Sequence, residues 1–90
     1  MEIRHSRSAT KHRISRERSR HVVLTAETII ARPAPQDSPV VDRRLVFLGD
    51  DQNGVTLEVV AIETDDGVLV IHAMKIRAKY RAYLEGHQHG

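Results

Sequence analysis

Two turn signals thirteen residues apart constrain the fold of this chain more than any other feature of its sequence. Asn53-Gly54 is a strong hairpin signal, and Asp65-Asp66-Gly67 turns the chain again. Between them Val55–Thr64 is rich in β-branched residues, and the apolar run Val68–Ala73 follows the second turn. With an earlier strand in Val40–Leu48, these segments predict an antiparallel meander.

The second turn also predicts a strand register. If Asp66-Gly67 is a two-residue loop, His72 lies opposite Ala61 and Ile71 lies opposite Ile62. The central strand is apolar on both faces in its second half. We therefore expect helices to cover one face of the sheet and the other face to be partly enclosed.

The sequence of the N-terminal third predicts mostly helical structure. Glu2-Ile3-Arg4 is a candidate edge strand, and Ser6–Arg13 suits a two-turn helix. Ser15 is placed to cap a further helix that runs to about Leu24. The apolar spacing allows this helix to continue to Ile30, whereas the threonines at positions 25 and 28 favour a break near residue 25.

The C-terminal part changes from strand to helix periodicity. An apolar stripe at helical spacing consists of Ile76, Tyr80, Tyr83 and Leu84. Gly86 is the expected helix cap, and residues 86–90 are expected to form a frayed tail. Three prolines within residues 33–39 predict a loop inside a single domain of residues 1–90. The expected fold is α+β, with N-terminal helices packed on an antiparallel three- to four-stranded sheet and a C-terminal helix.

The charges are segregated along the chain. Residues 1–32 carry eight Lys/Arg and three Asp/Glu, residues 33–71 carry two and eight, and residues 72–90 carry four and one. If the two basic ends meet in the fold, they form one positive surface suited to a phosphate backbone; otherwise they are separate solvated faces. The absence of cysteine excludes disulfides and thiolate metal sites and fits a reducing cytoplasm. No apolar run approaches the roughly 18 residues of a membrane span, so we expect a soluble protein.

Several short motifs occur in a familiar order. They are the His-x-x-x-Ala segment His5–Ala9, Ile14-Ser15 at a helix start, Leu48–Asp51, the Leu-Glu-Val-Val strand Leu57–Val60, the Val-Ile-His-Ala-Met strand end Val70–Met74, and Lys79-Tyr80 in a basic helix. In this order they resemble the small toxins of bacterial toxin–antitoxin pairs, nearest to the BrnT-like branch of the RelE/ParE superfamily.

The resemblance implies a RelE-like α+β toxin domain of a type II toxin–antitoxin system. It implies an endoribonuclease that cleaves mRNA in the cytoplasm, often at the ribosome, and that a cognate antitoxin protein inhibits. A basic residue or tyrosine near the C-terminal end is a recurring catalytic group in the family. The positions that match here are His72, Lys75, Arg77, Lys79 and Tyr80.

RNA cleavage without a metal needs a proton acceptor, a proton donor and cations on the phosphoryl oxygens. We assign His72 as the general acid or base, Arg77 with Lys75 as the phosphate clamp, and Lys79 as an auxiliary cation. Tyr80 completes the catalytic set. The expected RNA-binding residues are His5, Lys11, His12, Arg13, Lys75 and Arg81. We expect no cofactor and no metal, because the aspartates at positions 50, 51, 65 and 66 belong to turns that favour aspartate.

The same residues also have ordinary structural explanations. His72 ends an apolar strand, where a hydrogen-bonded core histidine is common, and Tyr80 falls on the buried stripe. Two other functions use the same basic patch: a non-catalytic nucleic-acid-binding module, and a ParE-type toxin that poisons gyrase by protein contact. Few aromatic residues are present to stack bases, which disfavours a single-strand binding module.

Overall fold

A mixed β-sheet forms the centre of the structure. The computed structural model describes residues 1–32 and 43–88, and within these ranges the sheet has five strands in the order β1-β5-β4-β3-β2. The strands are β1 (Glu2–His5), β2 (Thr28–Arg32), β3 (Arg44–Asp50), β4 (Thr56–Thr64) and β5 (Gly67–Lys75). The helices are α1 (Arg16–Thr25) and α2 (Ala78–Gln88), with a 3-10 turn at Arg7–Thr10.

The start of α1 follows the sequence. The Ser15 hydroxyl accepts a hydrogen bond from the Arg18 N–H at 3.3 Å, and Glu17 lies in the first turn, where the helix dipole favours a negative charge. This confirms Ser15 as the capping residue.

Of the two alternatives for the end of this helix, the break near residue 25 is confirmed and the continuation to Ile30 is wrong. The helix ends at Thr25, Ala26 is extended, and residues 28–32 form β2. β-branched residues at three successive positions from Thr28 favour a strand, and pairing with β3 gives their backbone a full ladder of hydrogen bonds. Ile30 then packs on the opposite face of the sheet from α1.

The α+β class is confirmed, but the expected antiparallel sheet of three to four strands is wrong. β1 pairs with β5 in parallel at one edge of the sheet, and the 3-10 turn and α1 then carry the chain to β2 at the opposite edge. The two-turn helix expected in residues 6–13 is a single 3-10 turn. Glu2–Arg4 is an edge strand as expected.

Two apolar clusters lie on opposite faces of the sheet. α1 covers the first face through Val22 and Val23, which pack with residues such as Phe47 and Val59. α2 covers part of the second face, where Ile76 and Tyr80 pack on Val46 and Leu48. Alternate residues of β3 therefore point into different clusters, so both faces of the central sheet are used.

The C-terminal helix is longer than expected. Its backbone remains helical through Gly86 to Gln88, so Gly86 is not the cap and residues 86–88 are not frayed. The proline-rich loop 33–39, the first three residues of the Val40–Leu48 strand candidate, and residues 89–90 lie outside the described residues. No helix in residues 1–32 or 43–88 is long and apolar enough to cross a membrane.

The register between β4 and β5 differs from the expected one. The turn closes between Thr64 and Gly67, so Ala61 pairs with Val70 rather than with His72. The register then shifts by one residue at Val60/Ala61, and His72 pairs with Val60. Ile71 is the extra residue of this β-bulge, and its carbonyl oxygen accepts a hydrogen bond from the Ser8 hydroxyl at 2.8 Å.

The bulge decides which face His72 occupies. Val68 and Val70 point into the α1 cluster, and an uninterrupted strand would place His72 on that same face. After the bulge it is Ala73 that points into the α1 cluster, so His72 is turned to the α2 face. Bulges commonly re-aim a side chain next to a functional site.

Candidate functional site: a basic cleft beside the second helix

A cleft of about 490 Å³ lies on the α2 face, between the start of α2 and the ends of β2 and β3. Its lining consists of Arg32, Arg44, Val46, Val60, Ile71, His72, Arg77, Lys79 and Tyr80. All four residues predicted as catalytic are in this set. The lining combines apolar residues of the sheet with four Arg and Lys side chains, an arrangement suited to an anionic ligand.

His72 is partly buried in the floor of the cleft. Burial lowers its pKa, the charges of His12, Arg77 and Lys11 lower it further, and Glu58 opposes them. The imidazole is therefore neutral near pH 7 and available as a proton acceptor. Its Nε2 atom is buried without a hydrogen-bond partner among the described residues.

Arg77 is held by a fully buried carboxylate. Glu58 accepts hydrogen bonds from the Arg77 backbone N–H at 2.9 Å, from Nε at 3.0 and 3.1 Å, and from Nη2 at 2.7 Å. Burial alone would raise the pKa of Glu58, but these hydrogen bonds from Arg77 lower it overall. The Arg77 guanidinium is thus bound to Glu58. Its main role is to fix the start of α2, and it is not a free phosphate clamp as the sequence predicted.

Two arginines that the sequence interpretation did not select stand across the cleft from α2. Arg32 and Arg44 are paired neighbours on β2 and β3, and the Arg32 Nη1 donates a hydrogen bond to the Tyr80 hydroxyl at 2.8 Å. They were missed because residues 28–32 were expected to belong to a helix or to the following loop. The run of β-branched residues from Thr28 was the signal that would have placed Arg32 on a strand.

Tyr80 combines packing with a polar contact. It is 5% exposed and belongs to the apolar cluster under α2, which confirms the structural explanation. Its hydroxyl accepts the hydrogen bond from Arg32, and the Lys79 Nζ lies 4.9 Å from the ring centroid. The ring therefore positions two cations at the cleft, and its own exposure is too small for a broad contact with a base.

The N-terminal basic segment also lies at the cleft, next to His72. The rings of His12 and His72 lie 5.0 Å apart, edge to face, and the charge of Lys11 acts on His72. The two basic ends of the chain therefore converge beside the end of β5, as the charge pattern predicted.

None of the six residues predicted to bind RNA lines the cleft: Lys11 and His12 lie near His72, and the other four lie elsewhere. His5 lies under α1 on the opposite face and bonds to the buried Ser19 hydroxyl at 3.0 Å. Lys75 pairs with Leu57 and so also belongs to the α1 face, and Arg81 lines a separate cleft on the far side of α2. Arg13 is exposed and follows His12 in a left-handed backbone conformation. Helical and strand periodicity separates side chains that are close in sequence.

The turn aspartates have structural partners. The Asp51 carboxylate accepts the N–H groups of Asn53 and Val55 at 2.8 and 2.9 Å and the Nε–H of Arg18 at 2.6 Å. Burial alone would raise the pKa of Asp51, but these hydrogen bonds lower it overall. Within residues 1–32 and 43–88, no group of three or more His, Asp or Glu side chains is arranged to hold a metal ion.

No protein-family model, curated protein or solved structure matches this chain.

Proposed function

We propose that this protein is a metal-independent endoribonuclease that acts on mRNA through the basic cleft. The observation that carries the proposal is the β-bulge at Ile71, which turns a neutral imidazole out of the α1 core and into a cleft lined by Arg32, Arg44 and Lys79. Besides letting the Ile71 carbonyl accept the Ser8 hydroxyl, the bulge turns His72 toward the cleft.

The chemistry supported by this arrangement is transesterification within RNA. His72 removes the proton of a ribose 2′-hydroxyl, and the oxygen attacks the adjacent phosphorus. Arg32, Arg44 and Lys79 stabilise the negative charge that grows on the phosphoryl oxygens. DNA lacks the 2′-hydroxyl and cannot react in this way.

We place the enzyme in a type II toxin–antitoxin system as its cytoplasmic toxin component. The order of short motifs supports this part, and the α+β class of the fold is compatible with it. The parallel strand β1 departs from the expected pattern. A cognate antitoxin protein would cover the basic cleft and inhibit the enzyme.

The test in cells is inducible expression of the chain in a bacterium. We expect growth arrest with loss of intact mRNA, and we expect His72→Ala and Arg44→Ala to relieve it. Arg4→Ala is the matched control, because Arg4 forms an exposed ion pair with Asp66 away from the cleft. Arrest with DNA breaks and intact mRNA would instead identify a gyrase poison.

One observation favours a second candidate, a non-catalytic RNA-binding module. The Nε2 atom of His72 is buried and so closed to a ligand, and arginines such as those of the cleft bind phosphate without any chemistry. Binding of RNA without toxicity or cleavage would select this function.

A further inference from the structure

A second imidazole is held at the cleft by the segment that precedes α1. The His12 ring meets the His72 ring edge to face, with centroids 5.0 Å apart and planes at 72°. The 3-10 turn before it is anchored on β5, where the Ser6 N–H donates to the Val70 carbonyl at 2.9 Å and Ala9 is buried. His12 is therefore positioned by the sheet edge, although its own side chain is exposed.

The backbone after His12 is conformationally costly. Arg13 has φ of 64°, a left-handed conformation that costs a non-glycine residue on the order of 1–2 kcal/mol. The Arg13 N–H donates to the Thr10 carbonyl at 3.0 Å and so closes a tight turn. This turn sets the direction in which the chain leaves His12 for α1.

Most of the charged groups that face His72 are cationic. His72 is faced by Lys11 and His12 from the N-terminal segment, by Glu58 from β4, and by Arg77 at the start of α2. The one carboxylate in this group is already bonded to Arg77. Cationic groups therefore dominate around His72, which favours its neutral, proton-accepting form.

We propose that His12 is the second proton-transfer residue of the cleft, acting as general acid while His72 acts as general base. This assignment rests on the proposed function. His72 takes the 2′-hydroxyl proton as the bond between O2′ and phosphorus forms. His12 gives its proton to the 5′-oxygen as the bond from phosphorus to that oxygen breaks. The products are a 2′,3′-cyclic phosphate and a 5′-hydroxyl, and exchange with solvent restores both imidazoles.

Two substrates separate a general acid from a structural residue. The first is an RNA oligonucleotide, whose 5′-oxygen leaving group needs a proton. The second is uridine 3′-(p-nitrophenyl phosphate), whose leaving group departs without one. Cleavage of both is measured for the full chain, for His12→Gln and for His72→Gln, with His21→Gln on α1 as the histidine control.

We expect His12→Gln to lose on the order of 10²- to 10⁴-fold in cleavage of RNA and to retain nearly full activity on the activated ester. His72→Gln should lose activity on both substrates. Equal loss on both substrates by His12→Gln would overturn the assignment and leave the proposed function standing. A wild-type chain that cleaves neither substrate would overturn both.

Discussion

At the scale of single residues, the buried Glu58 carboxylate determines the geometry of the cleft. It lies in β4 with no solvent exposure, and its four hydrogen bonds all come from Arg77. The backbone bond fixes the residue just before α2, where the positive end of the helix dipole also favours a carboxylate. Lys79 and Tyr80 follow directly in the first turn of α2, so Glu58 indirectly positions one wall of the cleft.

Replacing Glu58 by glutamine should therefore destabilise the protein. The amide cannot accept the same set of bonds, and we expect a loss of about 1–3 kcal/mol in the free energy of unfolding, measured by urea denaturation. Glu63→Gln is the matched control, because Glu63 is exposed and its nearest Arg43 nitrogen is 3.6 Å away. The control should lose less than about 1 kcal/mol. Equal losses in the two variants would contradict the role of Glu58.

The lowered histidine pKa values predict a pH dependence of stability. Burial is the first cause for both His5 and His72, so in the unfolded chain these rings take up protons at a higher pH than in the fold. The unfolded state then binds more protons, and stability falls as the pH drops below about 6.5. The lowered pKa values of Glu58 and Asp51 extend the loss into the acid range where carboxylates titrate.

Urea midpoints at pH 7.5 and pH 5.0 test this directly. We expect a lower midpoint at pH 5.0, and we expect His72→Gln to reduce the difference between the two values. A wild-type midpoint that is the same at both pH values would contradict the burial of these rings.

At the scale of elements, the close contact of β1 with the second turn completes the sheet. The Glu2 N–H donates to the Asp66 carbonyl at 2.8 Å, and Glu2 pairs with Gly67 at the start of β5. A Cβ atom added to Gly67 would overlap the Glu2 backbone. Glycine is required at this position by the close approach of two backbones.

Gly67→Ala should separate β1 from β5. We expect faster amide hydrogen exchange in residues 2–5, since their hydrogen bonds to β5 would open. Gly49→Ala in β3 is the control, because a Cβ there would lie 3.5 Å from Ala26 in ordinary van der Waals contact. Protection of β1 that survives in Gly67→Ala would show that this contact is not required.

The sequence predicts elements better than it predicts their relative placement. The Ser15 cap, the Asn53-Gly54 turn and the strand candidates depend on local chemistry that the residues display. The β-bulge does not, because it depends on how the 3-10 turn docks on β5 and takes the Ile71 carbonyl. As a result the sequence identified His72 but placed it opposite Ala61, which would have left it under α1.

The same contrast applies to the candidate site: residues close in sequence were predicted together, and residues joined only by strand pairing were not. Arg77, Lys79 and Tyr80 are close in sequence, just before α2 and in its first turn, so their proximity follows from the sequence. Arg32 and Arg44 meet the site only through the pairing of β2 with β3, which no local pattern reveals. The partnership of Arg77 with Glu58 also joins residues far apart in sequence.

At the scale of the whole molecule, the fold places the α2 cleft and the α1 helix on opposite faces of the sheet. Basic residues of α1 are thereby separated from the cleft, and Arg18 is paired with the buried Asp51. The proposed phosphate-binding surface is therefore smaller than the count of basic residues suggests. It consists of the cleft and the adjoining Lys11-His12 segment.

Binding of single-stranded RNA should accordingly involve only a few phosphate contacts. We expect Arg44→Ala to reduce the slope of log affinity against log salt by about 0.7, as loss of one contact predicts. Arg4→Ala should leave the slope unchanged. Fluorescence anisotropy with a non-cleavable 2′-O-methyl oligonucleotide measures both slopes, and equal effects of the two substitutions would contradict the position of the binding surface.

The most direct test of the cleft as a ribonuclease site is an assay of the purified chain with an RNA oligonucleotide in EDTA. We predict cleavage that leaves 2′,3′-cyclic phosphate and 5′-hydroxyl ends. The His72→Ala variant should retain the wild-type circular dichroism spectrum and should not cleave the RNA. Intact RNA with the wild-type chain, or undiminished cleavage by a folded His72→Ala, would contradict the account.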